Sequence, residues 1–216
     1  MDAGLKRELE AKVYAGERLS RADGEVLYAS DDLAWLGRLA HHRRTELNGD
    51  RVMFAAADDD AENVATMIFG QGEEPAQRVD QILRLRETQD ETGGFAAFIP
   101  LRHQDDATMA APAESLKTFA VSRLLFDNVA HVTCVWTTLG LSVAQLTLNF
   151  GADDLVGPLS DDAGPPDSVQ RADLLELIWD AGFQPVGRDA RYHVVREHDR
   201  APSLAERRRE PQKVWA

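Results

Sequence analysis

The segment TMIFGQGE, residues 66–73, holds the first side chains whose type and spacing could do chemistry. An apolar run ends in Gly70, and an acid, Glu73, follows three residues later. At the end of a parallel strand a glycine lets a ligand approach the backbone. Ligands of such sheets collect at the C-terminal ends of the strands. The same spacing also serves a plain strand–turn–helix, with Glu73 and Glu74 doing no more than capping the next helix. Other candidates are thinner. His103 stands beside Gln104, Asp105 and Asp106, and a single histidine next to loop acids is more often solvated than metal-bound. His41 and His42 are adjacent on a helical pattern, so their rings point in different directions and chelate poorly. Asp153 and Asp154 fall at a helix-to-strand junction, where capping is the expected role. Cys134 sits inside an apolar strand and reads as a small buried hydrophobe.

The cysteine count is the sharpest exclusion. With Cys134 as the one cysteine among 216 residues, an intrachain disulfide is ruled out. A cysteine-held zinc or iron–sulfur site likewise cannot be assembled from this sequence alone. A formal net charge of −13 argues against a basic nucleic-acid surface. A hydrophobic share of 44% with 28% charged residues is that of a globular, not a disordered, chain. No apolar run approaches the roughly 20 residues that span a bilayer, and the charged, helical start MDAGLKRELEAKV is no secretory signal. A cytoplasmic protein that binds neither membrane nor nucleic acid is expected.

The elements that must position these residues follow from periodicity. Residues 2–14 form a charged helix, and two more helices precede Asn48-Gly49. Ser20 with Asp23 is a cap pattern, Ser30 is placed to cap the next helix, and Leu33, Leu36, Leu39 and Ala40 share a face. The apolar run RVMFAAA, residues 51–57, is separated by the acidic bridge DDDAEN from NVATMIFG, residues 63–70. Pro75 opens a helix in which Val79, Ile82, Leu83 and Arg86 recur at helical spacing, and Gly93-Gly94 ends it. Strand-like FAAFIPL, HVTCVWTTL and DDLVGPL then alternate with helix-like segments, the last being SVQRADLLELIWDAGF, and RYHVV reads as a final strand. This alternation is the signature of parallel βα units.

Taken together, ATMIFG, EEPAQRVDQILRLRETQDETGGFAAFIPL, LKTFAVSRLLFDNVAHVTCVWTTLGLSVAQLTLNFGADDL and LIWDAGFQPVGRDARYHVV resemble the aminofutalosine synthase family of radical S-adenosylmethionine enzymes. These belong to menaquinone biosynthesis by the futalosine pathway, and the dehypoxanthine futalosine cyclases are a close alternative. The resemblance covers most of residues 5–54 and 63–195. It implies a (β/α)8 barrel, a 4Fe-4S cluster on a Cys-x-x-x-Cys-x-x-Cys loop, and bound S-adenosylmethionine. The implied reaction adds the adenosyl radical to 3-[(1-carboxyvinyl)oxy]benzoate. The stretch 55–63 stands where that family has the cluster loop and several strands. By the same resemblance, Ile68, Gly70 and Glu73 match the strand end that contacts the adenosyl group. Thr66 replaces that motif's first glycine, Gln71 a histidine and Val156 an acid.

The expectations are therefore specific. The fold is α/β, a partial (β/α)8 barrel of about five parallel strands with flanking helices. A helical segment (1–50) precedes the barrel part (51–195), and a charged tail (196–216) follows it. Because the last strand of a barrel neighbours the first, the expected order is 64–69, 95–101, 132–138, 153–157, 51–56. The outer edges at 52–56 and 64–69 are expected to be unpaired, which favours a homodimer or a complex with an intact paralogue. At about 3.5 Å per residue, the connection 56–63 reaches roughly 28 Å across the open mouth. Neither cluster nor cofactor is expected in this chain, which reads as inactive, a non-catalytic binding module being the alternative. A cluster-independent enzyme lacks a nucleophile–base pair.

Overall fold

The computed structural model describes residues 3–56, 63–104, 111–161 and 168–209; all of the acidic bridge but Asn63 lies outside them. Three helices open the chain: α1 (Ala3–Tyr14), α2 (Arg21–Tyr28) and α3 (Leu33–Asn48). Ser20 and Asp23 form the expected capping box on α2, whereas α3 is capped by Asp32, with Ser30 accepting from the Asp32 N–H instead. Strands β1 (Arg51–Ala56) and β2 (Val64–Phe69) follow. Then come α4 (Pro75–Thr92), β3 (Ala97–Arg102), α5 (Pro112–Leu125), β4 (His131–Val135), α6 (Trp136–Leu139) and α7 (Leu141–Thr147). Next are β5 (Asp154–Gly157), the short pair β6 (Leu159–Ser160) and β7 (Val169–Gln170), and α8 (Arg171–Asp180). The chain continues into β8 (Gln184–Arg188), β9 (Val194–Glu197) and α9 (Leu204–Arg209).

Among the described residues the main sheet runs β2-β3-β4-β5-β1-β8-β9. Its first five strands stand in the order expected from barrel closure, all parallel. It is a mostly parallel open sheet with flanking helices. Two expectations fail. The β1 edge is not open: β8 pairs with it in parallel, Val52 opposite Pro185 and Phe54 opposite Gly187, and β9 adds an antiparallel rim. Strand β8 was unexpected because Pro185 and Gly187 weaken strand propensity. Pairing overrides this, since β1 offers a ready ladder and the Pro185 carbonyl accepts from the His198 N–H at 3.1 Å. The strand expected over 132–138 also stops at Val135. Trp136 starts a helical turn, closed at Gly140 with φ 80°.

Each strand turns alternate residues to the helices. Ala65, Met67 and Phe98 join one buried cluster with Leu36, Val79, Ile82 and Phe126, and Phe69, also buried, lies under the Arg78 guanidinium. Val52, Phe54, Val132, Cys134 and Leu155 join a second with Leu174 and Ile178. The opposite, inner face carries Thr66, Ile68, Thr133, Asp154 and Val186. The fold thus fixes which side chains a ligand on that face would meet.

Candidate functional site

The β2 end places the three residues singled out from sequence. Gly70 turns the chain with φ 91°, a left-handed value that favours glycine. Glu73 folds back to accept from the backbone N–H of Gly70 at 2.8 Å and of Gln71 at 2.7 Å. The same carboxylate accepts from Arg78 Nε at 2.5 Å, and Arg78 also pairs with Glu114. Burial pushes the Glu73 carboxyl up, but the backbone donors and Arg78 outweigh it and hold it below the usual range. The structure therefore joins Gly70 and Glu73 in one turn braced to α4 and α5. Ile68 lies apart on the inner face, 47% exposed. Beside it Gln71 Nε2 lies 3.2 Å from His103 Nδ1; Asp105 and Asp106 lie outside the described residues.

A second constellation occupies the inner face between β4, β5 and β8. Asp154, fully buried, takes a two-pronged pair from Arg188, Nε to Oδ1 at 2.8 Å and Nη2 to Oδ2 at 2.7 Å. Thr133 Oγ1 donates to Asp154 at 2.7 Å and lies 3.0 Å from the Tyr192 hydroxyl. The Tyr192 ring is sandwiched between the Arg188 guanidinium, 3.9 Å from its centroid, and the stacked ring of His131 at 5.1 Å. Tyr192 reaches this place with φ 63°, a left-handed conformation costly for a bulky residue. Burial and the nearby Asp154 charge push its phenol up, so it stays protonated as a hydrogen-bonding group, not a base.

Asp153 faces the other way. It pairs with buried Arg123, sits 2.6 Å from His131 Nδ1 and accepts from the Val132 N–H at 2.8 Å. Burial pushes this carboxyl up, yet Arg123 and His131 hold it below the ordinary value. Asp153 and Asp154 are thus buried ion-pair anchors and not helix caps. The sequence signal for both networks was the Asp-Asp pair together with GRDARY: an arginine closing a short strand and a tyrosine four residues on.

A cavity of about 660 Å³ opens at the C-terminal ends of β1 and β8, lined by Ala56, Asp161, Arg171, Arg188, Arg196 and His198. Arg171 is paired with Asp161 at 2.5 Å. Burial first, then the charges of Arg196 and Arg171, push the His198 imidazole down.

Cluster ligation finds no support in the residues present. Cys134 is buried on the helix side of β4, and burial pushes its thiol up to about 12. Among the described residues no group of three or more His, Cys, Asp or Glu side chains could hold a metal. His41 packs on Phe183 while His42 packs on Tyr14, as expected for adjacent helical positions.

Comparison with known proteins places this architecture. The family model described as CofH/MqnC C-terminal region matches residues 92–201. Aminodeoxyfutalosine synthase of Streptomyces coelicolor is 33% identical over 385 aligned positions, covering 98% of this chain and 99% of that protein. That alignment is longer than the 216-residue chain, so a long internal stretch of the relative has no counterpart here. Cyclic dehypoxanthine futalosine synthase of the same organism is 37% identical over 64% of this chain and 37% of its own length. Aminodeoxyfutalosine synthase of Thermus thermophilus is 39% identical over 63% and 41%. The chain spans about two fifths of these last two. The X-ray structure of the FeFe-hydrogenase maturase HydG from Carboxydothermus hydrogenoformans superposes with a TM-score of 0.63 at 10% identity, over 84% of this chain and 79% of that one; this is a likeness of fold alone. The family match and the relationship running through 98% of its residues show that this chain belongs to the CofH/MqnC family, with the aminodeoxyfutalosine and cyclic dehypoxanthine futalosine synthases.

Proposed function

We propose that this chain is an aminodeoxyfutalosine-synthase-like protein of the menaquinone futalosine pathway that does not itself generate the adenosyl radical. The observation that carries the reading is the single cysteine, which lies buried among Phe119, Leu148 and Leu155 on the helix side of the sheet. A 4Fe-4S cluster would supply the electron that cleaves the sulfonium of S-adenosylmethionine, and the residues present do not fit one. What remains for the cofactor is the β2 end. Ile68 offers apolar surface on the inner face, while Glu73 is already engaged by two backbone N–H groups and Arg78. S-adenosylmethionine therefore binds weakly, and the protein acts in the cytoplasm. Supporting that location, no helix among the described residues is long and apolar enough to cross a membrane.

The test is an anaerobic incubation of the purified chain with S-adenosylmethionine and dithionite, followed by chromatography for 5′-deoxyadenosine. We expect none above the protein-free control. Catalytic formation of 5′-deoxyadenosine would sink the reading. The alternative, a binding module built on the same half-barrel, is favoured by the sheet edge at β2, which lacks a second neighbour among the described residues.

A further inference from the structure

We propose that β2 is a self-pairing strand and that two copies of this chain join across it in antiparallel register, Thr66 opposite Thr66. The ladder shows which groups are free to pair. The carbonyls of Asn63 and Phe69 accept from Ala96 and His103 of the β3 side at 2.8 Å each. In a parallel ladder alternate residues send both N–H and C=O to one neighbour. The backbone groups of Val64, Thr66 and Ile68 therefore point away from β3, and among the described residues β3 is the one strand that pairs with β2.

The occupant follows from the two edges. At the far edge, β9 is four residues long and carries Arg196 and Glu197, Glu197 being paired to Arg51 at 2.6 Å. A register shift at Gly187/Arg188 distorts its pairing. Charge, shortness and irregularity are the features by which natural sheets blunt an edge. The β2 edge has none of these: VATMIF has no charge, proline or bulge, Thr66 is exposed and Ile68 is 47% exposed. A two-fold centred on Thr66 sets Val64 against Ile68 twice and Thr66 against itself. Thr–Thr pairs stabilise antiparallel ladders, and Val64 against Ile68 sets apolar side chains against each other. No like charges meet at the strand, and the three outward residues of each copy satisfy one another's backbone. Since the other edge is blunted, association closes at two and does not propagate. A chain of net charge −13 repels its copy, so salt promotes the pairing.

Cysteine cross-linking tests the register in the full chain. Hydrogen-bonded antiparallel partners have Cα atoms about 5.5 Å apart, within the roughly 4.4–6.8 Å that a disulfide spans. Native Cys134 is buried with its thiol pushed up, so an introduced cysteine reads cleanly. Thr66→Cys should form a covalent dimer rapidly under mild oxidation, whereas Val195→Cys, 70% exposed on β9, should not. Ile68→Lys should weaken wild-type dimerisation in sedimentation velocity on the order of tenfold, about 1.4 kcal/mol, with an unchanged circular dichroism spectrum. Cross-linking of Thr66→Cys no faster than Val195→Cys, or a wild-type chain that stays monomeric at high salt and high concentration, would overturn the proposal.

Discussion

Asp154 and Arg188 define the molecule at the scale of single residues. Both are buried, and each guanidinium prong meets one carboxylate oxygen. Removing one partner of such a pair leaves an uncompensated charge, at a cost of about 3–5 kcal/mol. Arg188→Gln and Asp154→Asn are each expected to lose that much in urea unfolding, and a loss within experimental error would contradict the assignment. Tyr192→Phe removes one hydroxyl from the network but keeps the stack, so a loss of only about 1 kcal/mol is expected. Little of this was legible in sequence. Asp153 and Asp154 looked like capping residues because they stand at a helix-to-strand junction. That they point to opposite faces of the sheet, one just before β5 and one at its start, follows only from strand alternation, and that Arg188 waits on one side and Arg123 on the other follows only from tertiary pairing.

Elements repeat the lesson in a different form. The order of β2, β3, β4, β5 and β1 was legible because hydrophobic runs marked the strands and barrel closure sets the last beside the first. Strand β8 was hidden by Pro185 and Gly187, and with it the covering of β1. A chain ended after Phe183 loses β8 and β9 and bares residues 51–56 as a second open edge. We expect this truncation to aggregate in light scattering at concentrations where the full chain does not; a monodisperse truncation would show that β8 is dispensable for sealing β1. Packing at the strand ends is tight as well. A Cβ on Gly157 would lie 2.1 Å from the Trp136 ring, and rigid neighbours of this kind make overpacking cost about 1–3 kcal/mol. Gly157→Ala should lower the urea midpoint accordingly, and an unchanged midpoint would mean that Trp136 is free to move.

For the whole molecule, charge sets the response to acid. The Asp153 and Glu73 carboxyls are held below their ordinary values of 3.8 and 4.5. The native state then binds fewer protons than the unfolded state. The stability these groups contribute is complete above their ordinary values and is lost as the pH falls through the lower folded-state values. The urea midpoint should hold steady down to about pH 5 and drop below about pH 4, and a midpoint unchanged at pH 3 would contradict this sign. The central claim is the proposal made above: this chain of the CofH/MqnC family, whose one cysteine is buried within its core, does not assemble the 4Fe-4S cluster. Iron and sulfide quantification after anaerobic reconstitution tests it most directly. We expect a desalted protein with no visible charge-transfer absorbance and no bound iron or sulfide above the blank, and stoichiometric iron and sulfide with that absorbance would contradict the claim.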